Sequence, residues 1–160
     1  MRDIVYQKGK LTMCKSIDDD IEYIYPFMRQ VDKIECGCMG YSPKEALEVA
    51  LGSDDVTFTA FDPYGVPFCM FGAGSLQPNK GYIWMLGTDS VEENKFDFIK
   101  ASRFVVKTLT EPYGKVTNFV HKNNRSSIEW LKWCGAEMGR EIVFSDHPFY
   151  EFTITHKEKE

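Results

Sequence analysis

Four side chains are of types that can accept a proton from a reacting group: Tyr82, His121, Glu129 and Glu137. General acid–base catalysis needs such a group within hydrogen-bond reach of its partner. The spacing of these residues along the chain predicts no such pair, and only a few titratable residues of any protein are catalytic. The sequence alone therefore assigns no catalytic residue.

Cysteines are the other reactive residues, and five of them stand at positions 14, 36, 38, 69 and 134. Cys36 and Cys38 form a C-x-C pair, but no second Cys or His pair follows at the spacing of a zinc finger. The odd number of cysteines favours reduced thiols. We expect buried structural thiols and no metal site.

Composition limits the class of protein that this chain can be. Its 160 residues are 43% hydrophobic and 27% charged, which is typical of a globular domain. The net charge of −5 argues against a nucleic-acid partner, because neutralising phosphates needs a basic surface. No apolar run is long enough to span a membrane. We expect a single domain over residues 1–160, with a flexible tail at 157–160.

The first half of the sequence predicts a strand, two helices and a hairpin. Leu11 to Ile17 is predicted as the opening strand, and residues 1–10 are a candidate strand before it. Apolar residues spaced three or four positions apart predict one helical face, formed by Ile17, Ile21, Ile24, Met28 and Val31. Ser42 to Glu45 is a capping box that begins the second helix. The runs 56–61 and 67–71, separated by a Pro/Gly turn, predict the hairpin.

The second half predicts alternating strands and helices. The predicted strands are 82–88, 115–122, 140–144 and 149–155, and the predicted helices are 90–111 and 126–134. The inner face of the long helix is predicted to be Phe96, Ile99, Val105 or Val106, and Leu109. The order β-α-α-β-β-β-α-β-α-β-β favours an α/β (α+β) fold, a mixed sheet with helices on both faces.

The helix at 126–134 carries a resemblance to a known family. Asn124, Ser127, Ile128 and Gly135 stand where the GNAT superfamily of N-acetyltransferases often has an asparagine, a small residue, an aliphatic residue and a helix-ending glycine. Together with the element order, this resembles the GNAT fold over nearly the whole chain. The resemblance implies acetyl-CoA, bound in a V-shaped gap beside the central strand. It implies cofactor contacts at Met85, Leu86, Gly87, Thr88, Asn124 and Ser127, with a strand backbone N–H polarising the thioester and Gly87 marking a bulge or a close backbone approach.

The C-terminal half also resembles a narrower group. The stretches GYIWMLGTD, FDFIK, VTNFVHKNN, LKWCGAE and FYEFTI are similar to a small internal virion protein of podovirus-type bacteriophages. That resemblance implies a phage origin, a phage virion or host protein as partner, and location in the virion or the host cytoplasm.

Two positions depart from the pattern of active GNAT enzymes. The phosphate-binding signature of that superfamily is rich in glycine, but residues 88–95 contain none, and Ser90 with Glu93 predicts a capping box there. Asp89, Glu92 and Glu93 add negative charges that would cost on the order of 1–4 kcal/mol each beside a phosphate. Leu131 stands where a catalytic tyrosine is often found.

The sequence therefore predicts a GNAT-fold internal virion or host-interaction protein with a degenerate acyl-CoA site, which would need no cofactor. The alternative is an active acetyl-CoA-dependent N-acetyltransferase that acts on a protein or small-molecule amine. The fold alone favours that alternative.

Overall fold

The computed structural model describes residues 2–156, and the predicted tail at 157–160 lies outside them. Eight strands form one sheet: β1 Ile4–Lys8, β2 Leu11–Lys15, β3 Val56–Phe61, β4 Pro67–Gln77, β5 Lys80–Gly87, β6 Lys115–His121, β7 Glu137–Phe144 and β8 His147–Thr155. The helices are α1 Asp18–Ile24, α2 Gln30–Cys38, α3 Pro43–Ser53, α4 Ser90–Glu93, α5 Lys95–Thr110 and α6 Arg125–Trp133. The predicted fold class, a mixed sheet with helices on both faces, is confirmed.

The strand order across the sheet is β1-β2-β3-β4-β5-β6-β8-β7. All neighbours pair antiparallel except β5 and β6, which are parallel. Strands β5 and β6 are joined by the crossover through α4 and α5, as a parallel pair requires. The single parallel pair thus lies inside the sheet, with four strands on the β5 side and two on the β6 side.

Two apolar clusters cover the two faces of the sheet. One packs α5 and α6 against the strands through residues such as Phe98, Val105 and Leu131. The other packs α1 and α3 against β4 through Ile24, Leu47 and Met70. Within residues 2–156, no helix is long and apolar enough to cross a membrane.

The helix predicted from residue 18 to Val31 is interrupted. A 3-10 turn at Tyr25–Phe27 separates α1 from α2, because Pro26 has no backbone N–H to continue the α-helical hydrogen bonds. This interruption lets α2 begin at Gln30 in a new direction. Prediction of one continuous apolar face was therefore wrong.

The helix predicted at 90–111 is also divided. Asn94, with φ −104° and ψ 16°, separates α4 from α5, and its Nδ2 donates to the carbonyl oxygen of Ser90 at 2.8 Å. Phe96 is 82% exposed while Phe98 is 3% exposed. At about 100° per residue, Phe96 lies on the opposite side of α5 from buried Val105, whereas Phe98 lies on the same side. Phe98 takes the core position that the sequence assigned to Phe96.

The five thiols lie in the described part of the chain, and two of them, Cys38 and Cys134, are partly exposed. Cys14, Cys36 and Cys69 are buried, and all five cysteines are free. Burial raises the pKa of Cys36 to about 12. Among residues 2–156, no three His, Cys, Asp or Glu side chains cluster in a way that could hold a metal ion.

Candidate functional site

The parallel strands β5 and β6 separate soon after they meet. They pair only at Gly81 with Val116 and at Tyr82 with Thr117. The Asn118 side chain then bridges them, its Nδ2 donating to the carbonyl oxygen of Ile83 at 2.8 Å. Beyond that point the strands diverge, and we name the opening the β5–β6 gap. A cavity of about 260 Å³ lies there, lined by residues from both faces of the sheet.

Backbone groups of β5 face this gap. Thr88 N donates to the carbonyl oxygen of Phe68 on β4 at 2.9 Å. Because backbone groups alternate in direction along an antiparallel pair, the residues two and four before it also bond to β4. Ile83, Met85 and Gly87 therefore direct their backbone groups toward β6. Met85 does so beyond the last β5–β6 pair, which places its N–H at the cavity.

The end of β5 is held by a buried ion pair. Arg29 Nε lies 2.9 Å from Asp32 Oδ2 and Arg29 Nη2 lies 3.1 Å from Oδ1, with side chains 8% and 1% exposed. Gly87 N donates to Asp32 Oδ2 at 3.0 Å, and Gly87 O accepts from Arg29 N at 2.8 Å. Burial raises the pKa of Asp32, while Arg29 and the Gly87 N–H oppose the rise. The network fixes where β5 ends.

Glu35 on α2 reaches the cavity from the other face. Its Oε1 accepts from His121 N at 3.0 Å and from Asn124 Nδ2 at 3.1 Å. Burial, helped by the nearby charge of Asp32, raises the pKa of Glu35 to about 7. A carboxyl group with that pKa can accept and return a proton near neutral pH. Glu35 was not among the residues predicted from the sequence, where its one signal was its position three residues after another carboxylate, Asp32.

Two of the residues predicted to contact the cofactor lie at the start of α6. Asn124 caps the helix, its Oδ1 accepting from Ser127 N at 3.3 Å, and Gly135 follows the helix with φ +98°. Ser127 Oγ lies 3.5 Å from Arg29 Nη2. Ser127 and Met85 both line a second cavity, of about 50 Å³, next to the first. The structure therefore brings the α6 residues to the end of β5.

The other predicted residues of β5 lie in different surroundings. Leu86 belongs to the apolar cluster on the α1–α3 face of the sheet, as does Trp84, and it also lines the gap cavity. Thr88 Oγ1 donates to Phe68 O at 3.2 Å and accepts from Ser90 N at 3.2 Å. Gly87 pairs with Cys69 in regular register, without the bulge that the sequence suggested as one alternative. A Cβ on Gly87 would lie 2.8 Å from Val91 Cγ2, so close packing requires the glycine.

The predicted capping box of Ser90 and Glu93 does not form. Helix α4 has no side-chain cap, and Asp89 at its N-terminus has helical φ and ψ. The Thr88 hydroxyl accepts from the Ser90 N–H instead, because Thr88 directly follows β5 and lies just before the start of α4. The prediction that Ser90 and Glu93 cap the amides was wrong. Leu131, at the position expected for a tyrosine, is buried and lines the gap cavity.

None of the four proton acceptors considered from the sequence is free in the gap. Tyr82 OH donates to Asp54 Oδ1 at 2.5 Å, and burial with this bond raises the Tyr82 pKa. His121 Nε2 lies 3.0 Å from the ring of His147. Burial, together with the nearby His147, lowers the pKa of His121. Glu129 and Glu137 are exposed.

Trp130 on α6 has an unusual environment. Its ring packs on Phe98 with centroids 5.8 Å apart. Its indole Nε1 is buried and has no hydrogen-bond partner among the described residues. Trp130 lines both cavities. A buried donor without a partner costs about 1–3 kcal/mol, so a ligand oxygen that accepts from it would be favoured.

Several known proteins resemble this chain in three-dimensional structure. No protein-family model matches the sequence, and no curated protein matches it. A GNAT-family acetyltransferase from Bacillus anthracis superposes with a TM-score of 0.70 at 12% identity, over 95% of this chain and 98% of its own. The acetyltransferase AAC(6')-Ib, in complex with ribostamycin and coenzyme A, gives 0.67 at 15% identity over 92% and 94%.

A third similar structure is a ribosomal-protein-S5-alanine acetyltransferase from Vibrio fischeri. It gives a TM-score of 0.66 at 9% identity, over 96% of this chain and 97% of that one. All three superpositions cover more than nine-tenths of this chain. The chain therefore has the fold of the GNAT acetyltransferases.

Proposed function

We propose that the protein is an acyl-CoA-dependent N-acyltransferase that works in the β5–β6 gap. The observation that carries the proposal is the cavity of about 260 Å³ between the diverging strands, lined from both faces of the sheet. A thioester can approach from the side of α5 and α6, and an amine from the side of α2 and α3. One similar structure, AAC(6')-Ib, is solved in complex with coenzyme A, which supports an acyl-CoA as the cosubstrate.

The side of α5 and α6 offers groups suited to acetyl-CoA, which would supply an activated acyl thioester. Two N–H groups on that side are available to donate to oxygens of a ligand: the backbone N–H of Met85 and the unpartnered indole N–H of Trp130. Ser127 and Lys95 line the adjoining small cavity, together with the carboxylate of Glu92. The N–H groups of Gly87 and Thr88 are already bonded to Asp32 and Phe68, which leaves Met85 as the strand donor. These residues fit an acyl-CoA.

Glu35 is the candidate general base of this site. Acyl transfer to an amine removes a proton from nitrogen as the carbon–nitrogen bond forms, and the departing thiolate gains a proton. Glu35 lines the cavity and has one oxygen, Oε1, held by His121 N and Asn124 Nδ2. A fixed carboxylate with a pKa of about 7 suits that proton transfer. The Met85 N–H is the candidate donor to the oxygen that becomes negative.

Isothermal titration with acetyl-CoA, combined with an acetyl-transfer assay, tests the proposal. We expect wild-type protein to bind acetyl-CoA with a Kd of micromolar order. Trp130→Phe removes one buried donor and should weaken binding about tenfold. Trp133→Phe is the matched control, because Trp133 is 52% exposed and outside both cavities near the gap. No heat of binding at millimolar acetyl-CoA would contradict the proposal.

Glu35→Gln separates catalysis from binding in the same assay. Loss of a general base should lower the rate of transfer about 10²–10⁴-fold and leave the Kd of acetyl-CoA within twofold. Equal rates for wild type and Glu35→Gln at neutral pH would remove Glu35 from the proposed chemistry.

A second candidate is a GNAT-fold internal virion or host-interaction protein that does not use acetyl-CoA. The observation in its favour is the acidic start of α4, where Asp89, Glu92 and Glu93 stand where phosphates would bind. The phage resemblance of the C-terminal half supports the virion role. Absence of acetyl-CoA binding, together with detection of the protein in purified virions by mass spectrometry, is the expected result for this candidate.

A further inference from the structure

We propose that the amine acceptor is a small aromatic monoamine, bound in the half of the gap cavity that faces α2 and α3. This inference rests on the proposed acyltransferase function. It adds the class of acceptor, which the fold does not specify, because the GNAT structures similar to this chain include enzymes named for quite different acceptors.

The walls of this half are apolar and largely aromatic. They come from α2, the following turn, α3 and β5, and include Met39, Tyr41, Ala46, Ala50, Tyr82 and Trp84. The two alanines lie one helical turn apart on α3, so their small side chains leave room above β5. Such a surface favours a flat apolar body over a chain of hydroxyl groups.

The two aromatic side chains that β5 contributes to this wall, Tyr82 and Trp84, are held in place by contacts on the side away from the cavity. Asp54 accepts hydrogen bonds from Tyr82 OH and from Trp84 Nε1. Gly72 and Gly74 on β4 provide the space, because a Cβ on Gly74 would lie 2.5 Å from Tyr82 Cζ and one on Gly72 would lie 3.0 Å from Trp84 Nε1. The polar atoms of both rings are thereby engaged away from a ligand. The rings present apolar surface that needs no reordering on binding.

The charge of the cavity fits a single ammonium group. Glu35 is the one carboxylate among the described residues that line it. Its Oε1 is engaged by His121 and Asn124, and no hydrogen bond within residues 2–156 engages Oε2. A polycationic amine would bring further charges into an apolar site without partners, at high desolvation cost. The volume of about 260 Å³ also lies below the 300–1,000 Å³ typical of sites for drug-sized ligands.

Kinetics with matched amines test this inference. With acetyl-CoA as donor, we expect kcat/KM for 2-phenylethylamine to exceed that for ethylamine about 100-fold, since a phenyl ring is buried. A lysine-containing peptide and the polycation kanamycin should each react at least 100-fold less efficiently than 2-phenylethylamine. Ala50→Leu should lower the preference for 2-phenylethylamine over ethylamine at least tenfold. Val49→Leu, on the exposed side of α3, is the control and should leave it unchanged.

Each result decides one of the two proposals. If wild-type protein does not bind acetyl-CoA in the titration, the acyltransferase function fails and this inference fails with it. If acetyl-CoA binds but ethylamine, the peptide or kanamycin reacts as well as 2-phenylethylamine, only the acceptor class is wrong. An unchanged preference in Ala50→Leu would place the acceptor outside this half of the cavity.

Discussion

Replacing Glu35 by glutamine should stabilise the protein at alkaline pH. Burial raises the pKa of Glu35 from 4.5 to about 7 in the folded protein. The folded state therefore binds the proton more tightly than the unfolded state, and stability falls as pH rises from about 4.5 to about 7. That shift corresponds to about 3 kcal/mol of lost stability above pH 7. Glutamine has no charge to desolvate, and its Oε1 can still accept from His121 N and Asn124 Nδ2.

The expected gain is smaller than the full shift, because amide oxygens accept weaker hydrogen bonds than carboxylates. We expect Glu35→Gln to equal wild type in free energy of unfolding at pH 5 and to exceed it by about 2 kcal/mol at pH 8.5. The charges facing Glu35, on Asp32 and Arg29, are the same in both proteins, so the difference isolates position 35.

Urea unfolding followed by circular dichroism at pH 5, 6, 7 and 8.5 measures this difference. Glu48→Gln is the control, because Glu48 is exposed on α3 and its replacement should change stability little at any pH. A pH-independent difference, or a loss of stability in Glu35→Gln at pH 8.5, would refute the reasoning. Stabilisation combined with slower acetyl transfer would indicate that the carboxylate is retained for function at a cost in stability.

Four other variants test the framework around the site, each by denaturant unfolding. Asp32→Ala leaves buried Arg29 without its partner and should lower the free energy of unfolding by about 3–5 kcal/mol. The double change Arg29→Met with Asp32→Leu should lower it much less. Similar losses in these two variants would mean that the pair is not effectively buried. Asn124→Ala removes the α6 cap and should cost about 1–2 kcal/mol, so an unchanged midpoint would contradict the cap. Gly74→Ala should cost about 1–3 kcal/mol because Tyr82 must move, and a neutral result would show that the ring has room.

Most short-range signals at the helix ends were read correctly, although the capping box predicted at Ser90 and Glu93 does not form. The Ser42 capping box forms, with Glu45 N donating to Ser42 Oγ at 3.2 Å and Ser42 N donating to Glu45 Oε1 at 3.3 Å. Asn124 caps α6 and Gly135 follows it in the left-handed region. These features depend on hydrogen bonds and backbone angles within a few residues, so residue types alone predict them.

Helix phase was predicted less well. The sequence placed Phe96 in the core, and the structure places Phe98 there. The cause is helical periodicity: α5 runs unbroken from Lys95 to Thr110, and the spacing of Phe96 and Val105 puts these two side chains on opposite sides of it. The helix predicted at 90–111 also breaks at Asn94, whose side chain bonds back to Ser90. Propensity gives Asn94 only a weak preference against a helix interior, so the packing of α4 and α5 onto the sheet decides the break.

The sequence by itself determined the order of the strands and main helices, though not the breaks at Pro26 and Asn94, together with the caps of α3 and α6 and the fold class. Only the tertiary structure decided which groups meet in the β5–β6 gap. Glu35 reaches His121 and Asn124 across 86 and 89 residues of chain, and Asp32 reaches Gly87 across 55. Such contacts depend on how α2 lies over the sheet after the break at Pro26. Glu35 acquires its raised pKa only there, because desolvation is a property of the packed site and not of the residue type.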